Sequence, residues 1–303
     1  VSPRVSVILP THNRAPVLAR SIRSVLAQSA SDLELIVVDD ASTDATAEVL
    51  ASFDDPRLRR LRHDTRQGAA AARNTGLSAA RAEWVAFQDS DDEWLLDKLE
   101  RQGALLAADS ALGAVYCAFV RVAGDQVVRT PAARVCRRAG WLHAEILRDS
   151  FISTQTLLVR RDVLDAVGGF DAALPRFQDW ELMMRLSRHH AIGCVDEPLV
   201  MVHTLPDAIT HDAPARLRAR QRIVERHAVW LAAQPRTLAE HRYAVGHLNA
   251  LAGDMRAARR WLRQAVAADR SLLKGWAALG LTVLGPRGYR RATTLRAGLR
   301  GRS

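Results

Sequence analysis

Between Val5 and Ala108 the sequence repeats one unit four times: an apolar segment, a polar loop, then a stretch of helical spacing. Val5–Leu9, Leu33–Val38, Leu58–Leu61 and Glu83–Gln88 are short and β-favouring, without a helical period. Val17, Leu18, Ile22, Val25 and Leu26 fall on one helical face within Ala15–Ala27. Ala47, Val49 and Leu50 mark a second helix, with Ser42 or Thr43 as its cap, and Gly68–Ala80 reads as a third, made of small residues. This alternation predicts an α/β fold, a parallel sheet covered by helices with right-handed crossovers. Pro10 is expected to end the first strand.

Polar groups follow three of the four predicted strands: His12 with Asn13, Asp39 with Asp40, and the run Asp89-Ser90-Asp91-Asp92. In an open α/β sheet such ends line one crevice, where ligands collect. Three carboxylates within four residues repel one another, and a divalent cation is one remedy. Mg²⁺ and Mn²⁺ prefer oxygen and are held by one or two carboxylates plus substrate phosphates. The plainer alternative is an acidic turn in which Asp92 caps a helix beginning near Glu93. Convergence of the three strand ends favours the metal reading. GxGxxG and a Walker loop are both missing, which disfavours a dinucleotide site and a P-loop ATPase.

Downstream, a helix is expected from after Trp94 to Ala108, and a hairpin from Ala114–Val122 and Gln126–Arg129 around Gly124-Asp125. Ile152–Arg160 alternates like a strand, and Arg161–Val167 reads as a helix stopped by Gly168-Gly169. Glu181–Arg188 has a clear apolar face, with Asp179 at the N-cap position. Asp179 is therefore either that cap or a carboxylate aimed into the crevice as a general base. His203 and His211 are expected in a loop after the last core strand, beyond Pro198, where a histidine is ordinarily solvated or hydrogen-bonded; for His211 the alternative is a diphosphate contact or a third metal ligand.

The net charge of +10 is unevenly divided. From Pro214 onward there are 19 Arg+Lys and 4 Asp+Glu, against 24 and 29 in the remainder. Residues 1–213 are expected to form the α/β domain and 214–303 a helical extension. That extension contains one tetratricopeptide-like hairpin around Tyr243–Val266 and an Arg-rich last segment, Gly285–Ser303, read as solvated or as docked on a membrane surface through Leu295 and Leu299. A basic tail suits anionic partners, but no nucleic-acid motif accompanies it. Cys117, Cys136 and Cys194 offer neither a disulfide framework nor a zinc pattern and fit a reducing cytoplasm. Uninterrupted apolar runs of about 18 residues are missing. Val1-Ser2-Pro3-Arg4 does not read as a signal peptide, though Val1 in place of Met leaves room for a leader ahead of it. The expected location is the cytoplasm, peripheral at the inner face of the membrane.

Four stretches, in this order, resemble the family-2 inverting glycosyltransferases of GT-A fold: VSVILPTHNRAPVLARSIRSVLAQ, ELIVVDDASTDAT, GAAAARNTGLSAARAEWVAFQDSDDEW and VGGFDAALPRFQDWELMMRL. The resemblance covers residues 4 to 205 and implies a nucleotide-diphospho-sugar transferase sheet. It implies that Pro10 and His12 line the nucleobase, that Asp39, with Asp40, binds the uracil edge or ribose, and that Arg66 reaches the nucleotide. It implies that Asp89 holds the ribose or sugar, that Asp91 holds Mn²⁺ or Mg²⁺ on the diphosphate, and that Asp179 deprotonates the acceptor hydroxyl. Gln178 departs from the family, where many relatives carry Glu; a neutral neighbour is expected to keep the Asp179 carboxyl low.

The implied reaction moves a sugar from a nucleoside-diphosphate sugar, a UDP-sugar foremost, to a hydroxyl of a glycan, lipid-linked or small-molecule acceptor. Two rivals remain. A nucleotidyltransferase would usually carry a Gly-rich loop after the first strand, where this chain has Pro10-Thr11-His12-Asn13-Arg14. A non-catalytic sugar-nucleotide-fold module with a partner-recruiting basic tail would have no need of both Asp91 and Asp179.

Overall fold

The computed structural model describes residues 2–124, 126–130, 139–203 and 212–300, the side chains of 123 and 295–300 apart. Cys136, His211 and the Asp125 half of the expected hairpin turn lie outside the described residues, as do the side chains of Leu295 and Leu299. The chain forms two compact units, Val1–Ala173 with Gln178–Ala208, and Leu174–Phe177 with Ile209–Ser303.

The first unit is built on a mixed sheet. Its strands are β1 (Val5–Thr11), β2 (Leu33–Asp39), β3 (Leu58–Arg62), β4 (Trp84–Phe87), β5 (Glu93–Trp94), β6 (Leu112–Ala123), β7 (Gln126–Thr130), β8 (Leu157–Arg160) and β9 (Ala191–His203). They lie in the order β3-β2-β1-β4-β8-β6-β9-β5, with β7 paired to β6. β3, β2, β1 and β4 run parallel, and every residue of β1 and β2 is buried, as two helix-covered faces require. β8 enters antiparallel between β4 and β6, β9 runs parallel to β6, and β5 pairs antiparallel with β9. The helices of this unit are α1 (Ala15–Leu26), α2 (Thr46–Ala51), α3 (Ala69–Ala79), α4 (Lys98–Ala108), α5 (His143–Arg148), α6 (Arg161–Val167) and α7 (Gln178–Leu186).

Several boundaries differ from the sequence reading, each for a local reason. Pro10 does not end β1, which pairs with β2 through Thr11↔Asp39. The Ile8 carbonyl accepts the Gln88 N–H, so Ile8 faces β4. Pro10, two residues on, faces the same side, where β4 pairing has already stopped, and its missing donor costs nothing. No helix begins near Glu93: Glu93 and Trp94 pair with Met201 and Val200, and α4 starts only at Lys98. Ser42 does not cap α2; its hydroxyl accepts the Asn13 N–H, and Asp44 accepts from Thr46 N–H instead. Only the end of Ile152–Arg160 is strand, because Thr154–Thr156 closes a 3-10 turn whose Thr156 hydroxyl bonds the Ser153 carbonyl.

α3 lies close on β1. A Cβ at Gly76 would stand 2.5 Å from the Ile8 side chain, so the small-residue run is what permits the approach. Asn74 on α3 both donates to the Phe170 carbonyl and accepts the Phe170 N–H, at 2.8 Å each. The intervening Gly169 sits at φ +65° with Asn74 Oδ1 2.7 Å from where a Cβ would be. The turn after α6 is thus fixed to α3. Arg185 on α7 closes the same assembly: it pairs with the fully buried Glu181 at 2.7 Å and donates to the carbonyls of Val167 and Gly169.

The second unit is helical: α8 (Ala213–Arg226), α9 (Ala228–Ala232), α10 (Pro235–Ala252), α11 (Met255–Ala268), α12 (Leu273–Leu281), the turn Thr282–Leu284, and α13 (Gly285–Arg300). α10 and α11 form the expected hairpin, joined by Gly253 at φ +98° and capped by Asp254, whose carboxylate accepts the Ala257 N–H. The segment read as a solvated end is helix as far as Arg300.

Lys98 is the anomaly of the first unit's core. It is fully buried, its Nζ bonds Gln102 Oε1 at 2.7 Å and lies 3.9 Å over the Trp94 ring, and among the described residues it has no carboxylate partner. Burial pushes its ammonium down to about 8 from the usual 10.5. Below pH 8 the folded chain carries an ill-solvated charge; between pH 8 and 10.5 the unfolded chain holds a proton that the folded one has released. Stability contributed here therefore rises with pH across that window, by an amount on the order of 3 kcal/mol. The Cys117 thiol, pushed up to about 11 by burial, opposes it above pH 9. Urea midpoints measured from pH 7 to 10 should rise for wild type relative to Lys98→Met, with the difference growing steadily from pH 8 upward, since Cys117 is common to both proteins.

Candidate active site

The carboxyl ends of β1, β2 and β4 carry the residues singled out in the sequence. Asp39 closes β2. It is buried, accepts the Ser42 N–H at 2.9 Å, and pairs with Arg62 of β3 at 2.6 Å, while Arg62 also donates to the Ser42 carbonyl. Asp40 follows and is used within the protein. One oxygen accepts Gln67 N–H and bonds His63 Nδ1, each at 2.8 Å, and the other accepts Gly68 N–H at 2.7 Å. Burial alone would raise its carboxyl; the bonds from Gln67, His63 and Gly68 outweigh that and hold it below the ordinary range. Asp40 thereby shapes the loop between β3 and α3.

That loop carries Arg66, which is exposed and has no side-chain hydrogen bond or ion pair among the described residues. His12 Nδ1 lies 2.8 Å from the Asp40 carbonyl, an acceptor only, so the ring donates there and Nε2 is its acceptor nitrogen. Asn13 at φ +52° and Ala41 at φ +59° bend the two loops toward each other, and Asn13 Oδ1 accepts the Thr43 N–H.

The acidic run leaves β4 in a tight turn in which Asp92 N–H bonds the Asp89 carbonyl. Arg20 and Ser21 of α1 hold its backbone, through the Asp91 and Asp89 carbonyls at 2.6 and 2.9 Å. Asp92 does not cap a helix. It is buried beneath the turn and accepts the His203 N–H at 3.0 Å. Burial, then the charges on Asp89 and Asp91, push its carboxyl well above the usual range. His203 ends β9 instead of lying in a loop beyond it, and of the two expected states it is the hydrogen-bonded one: its Nε2 reaches Glu93 Oε1 at 2.7 Å.

One residue that the sequence reading passed over joins this turn to α7. Arg73 lies in the middle of α3 and is 7% exposed. Its Nη2 donates to Asp89 at 2.7 Å, its Nη1 to the Gln178 side-chain oxygen at 3.0 Å, and its guanidinium lies 5.5 Å over the Phe170 ring. The signal was available: one arginine within Ala69-Ala70-Ala71-Ala72-Arg73, a helix otherwise built to be buried. A buried guanidinium needs oxygen partners, and the nearest carboxylates in sequence are too few to supply them.

Asp179 is the second residue of α7 rather than its cap, and its Oδ1 accepts the Trp180 N–H at 2.8 Å. Burial raises its carboxyl above the usual range. Trp180 N–H and the Arg73 charge pull it down, and the Asp89 charge adds to the rise. The neutral Gln178 does not keep it low, because desolvation dominates and the Gln178 oxygen is engaged by Arg73. The structure therefore brings Asp179 within electrostatic reach of Asp89, two residues before Asp91, and places His12, Asp39 and Asp40 at the neighbouring strand ends.

Glycosyl transferase family 2 matches residues 6–168 of this chain, more than half of it. The protein belongs to that family. Among curated relatives, the succinoglycan biosynthesis protein ExoO of Rhizobium meliloti is 40% identical over 115 residues, 36% of this chain and 33% of ExoO. The Escherichia coli enzyme WfgD, a UDP-Glc:alpha-D-GlcNAc-diphosphoundecaprenol beta-1,3-glucosyltransferase, is 42% identical over 102 residues, 34% of this chain and 40% of WfgD. The chain thus aligns with well under half the length of these relatives. Among solved structures, S. aureus TarS residues 1–349 with UDP-GlcNAc superposes with a TM-score of 0.74 over 97% of this chain and 92% of that one, at 19% identity. The mannosyltransferase PcManGT of Pyrobaculum calidifontis, with GDP-Man and Mn²⁺, gives 0.61 over 98% and 85%, at 24% identity. These likenesses establish the GT-A-like fold, and the family match goes against the nucleotidyltransferase alternative.

Arg73→Met should remove the cation that Asp89 and Asp179 share. We expect the acid limb of the pH–rate profile to move to higher pH, since Arg73 pulls the Asp179 carboxyl down. A stability loss of roughly 2 kcal/mol should accompany it. Rates across pH 4 to 8, set beside urea midpoints, separate the two effects; an unshifted acid limb would show that Arg73 does not act on Asp179.

Proposed function

We propose that this protein is an inverting glycosyltransferase that moves a sugar from a nucleoside-diphosphate sugar to an acceptor hydroxyl, in the assembly of a cell-surface glycan. The observation that carries the reading is the bridge from Asp89 through Arg73 to Gln178, which joins the acidic turn after β4 to the first residue of α7, next to Asp179, although the two lie more than eighty residues apart. His12 and Asp39 at the ends of β1 and β2 would receive the nucleoside, with Pro10 beneath them, and Arg66 would reach the phosphates from its exposed loop. A UDP-sugar is favoured because WfgD is named for UDP-Glc and TarS is seen with UDP-GlcNAc. A glycan or lipid-linked acceptor is favoured because WfgD acts on a diphosphoundecaprenol-linked sugar.

The donor set fits a divalent ion only in company with substrate. Among the described residues no group of three or more His, Cys, Asp or Glu could hold a metal. The charges on Asp89 and Asp91 already disfavour a third on Asp92, so the turn has negative charge to spare. Asp89 is matched by Arg73, and Asp91, as the family resemblance implies, would hold Mn²⁺ or Mg²⁺ together with diphosphate oxygens, an arrangement these ions commonly adopt. When bound, the ion would supply Lewis-acid stabilisation of the departing diphosphate.

Asp179 acts on the other reactant. Held by the Trp180 N–H and by burial, its carboxylate takes the acceptor proton as the oxygen attacks the anomeric carbon. Its raised affinity for protons makes it a better base at neutral pH than an exposed aspartate, provided that it is ionised. With the base on one face and the leaving diphosphate on the other, a single displacement inverts the anomeric configuration. The work is expected on the cytoplasmic face of a membrane; among the described residues no helix is long and apolar enough to cross one.

Slow hydrolysis of sugar nucleotides needs no acceptor and is the direct screen. UDP-sugars should be turned over in Mn²⁺ or Mg²⁺, and chelation should stop it. Asp91→Asn should raise the metal concentration required. Asp179→Asn should lower transfer by roughly 10²–10⁴-fold while leaving UDP affinity within about twofold. Transfer that survives Asp179→Asn would remove the base assignment, and failure of every nucleotide to bind would favour the non-catalytic module.

A further inference from the structure

The second unit presents an exposed helix face of unusual composition. On α12 and the turn that follows, the exposed positions are Leu273, Trp276, Ala277, Gly280, Val283 and Leu284. Their spacing is that of one helical stripe, and each is apolar. Leu273 is 79% exposed, Trp276 48%, Val283 76% and Leu284 57%. An ordinary surface helix reverses this pattern and turns its polar residues outward. The charged residue of α12, Lys274, is drawn away from the stripe to Glu240 and the Tyr243 ring. Trp276 is oriented by the bond from its indole N–H to the Arg270 carbonyl, 2.9 Å.

The charge beside this stripe has one sign. From Arg270 to Ser303 the sequence contains eight basic residues and no acidic one. Arg287, Arg290 and Arg291 begin α13 three residues after Leu284, and all three are exposed.

We propose that the α12 stripe is a docking face for an anionic lipid bilayer, with Leu273, Trp276, Val283 and Leu284 entering the headgroup–acyl boundary and the α13 arginines pairing with lipid phosphates. Tryptophan and aliphatic side chains next to arginine are the combination that this boundary accepts, and a few apolar side chains with basic neighbours give binding that is reversible and sensitive to salt. A second copy of the chain fits less well. Two such faces brought together would also bring together two unbalanced basic segments. The sequence pointed to Leu295 and Leu299 for this role; the structure supplies a different apolar surface, exposed and seated on α12. The inference stands apart from the transferase reading, because lipid binding requires no donor.

The test is co-sedimentation of the 303-residue chain with vesicles of phosphatidylcholine alone or mixed with phosphatidylglycerol. Binding should require the anionic lipid and weaken with salt. The combined variant Leu273→Ser, Trp276→Ser, Leu284→Ser should reduce partitioning by roughly tenfold or more while keeping the wild-type melting temperature and donor hydrolysis without lipid. Should that variant fold poorly, bromine-labelled acyl chains provide a second readout: they should quench part of the intrinsic fluorescence, and Trp276→Phe should abolish that part. Failure to bind anionic vesicles, undiminished binding of the triple variant, or a lipid-free dimer that the triple variant dissolves would each overturn the proposal, the last in favour of a second copy.

Discussion

A guanidinium removed from water sets the layout of the candidate site. Arg73 cannot lie inside α3 uncompensated, and it reaches one oxygen on Asp89 and another on Gln178. The two partners belong to different elements, the turn after β4 and the first residue of α7, so the distance between them is limited by the span of a single planar group. Asn74, next to it, fixes the turn after α6 to the same helix, and Arg185 ties α7 to that turn. Three side chains on α3 and α7 thus hold Asp179 in place more firmly than a loop position could. A base must sit within hydrogen-bond reach of its proton, and small displacements are costly in rate.

The same logic separates the carboxylates by role. Asp40 has both oxygens taken by backbone donors and His63, and its function is to shape the loop that carries Arg66. Asp92 is buried, bonded to the His203 N–H, and pressed toward its neutral form by its neighbours. Asp89 is balanced by Arg73 and Asp39 by Arg62. Four acidic residues that look alike in sequence thus differ in what their oxygens already hold, and that difference decides which of them can meet a ligand. Asp179 differs again: burial keeps its affinity for protons high, and neither the Trp180 N–H it accepts nor the nearby Arg73 charge fully offsets that.

Much of this was legible in the residues. The alternation of apolar segments and helical spacing located β1, β2, β4 and α1 to α3, because strands covered on both faces are largely apolar; β3, with three arginines in five residues, was placed by its position in the alternation. The strand-end acids were visible for the same topological reason. What escaped were features decided by partners far along the chain. Nothing near Glu93 announces a strand, since its pairing partner is Met201. Thr154–Thr156 reads as strand until a local hydroxyl–carbonyl bond turns it. Arg73 finds its second partner 105 positions away, beyond the range of any periodicity. Gln178 illustrates the limit most clearly. Its neutrality was read correctly, but the inference about Asp179 failed, because burial outweighs a neighbour's charge and burial is a property of the folded chain.

The distribution of charge adds a constraint that neither unit shows alone. Residues 1–213 carry more acids than bases, 29 against 24, yet the proposed substrate brings a diphosphate to an acidic turn. Arginines near that turn are already engaged: Arg73 on Asp89, Arg20 on the Asp91 carbonyl and beside Glu93. On the proposed reading an anionic donor would need further positive charge on arrival, and a cation travelling with the diphosphate would provide it without a dedicated protein cage. The surplus of bases after Pro214 is poorly suited to that task. Many of its arginines lie on exposed helix surfaces, where charge is screened over about 10 Å, and they act best on a partner brought into direct contact with them. On the two proposals, the acidic turn and the basic helical unit would thus answer separate demands, one a charge to be neutralised at a few atoms, the other a negative surface that is broad.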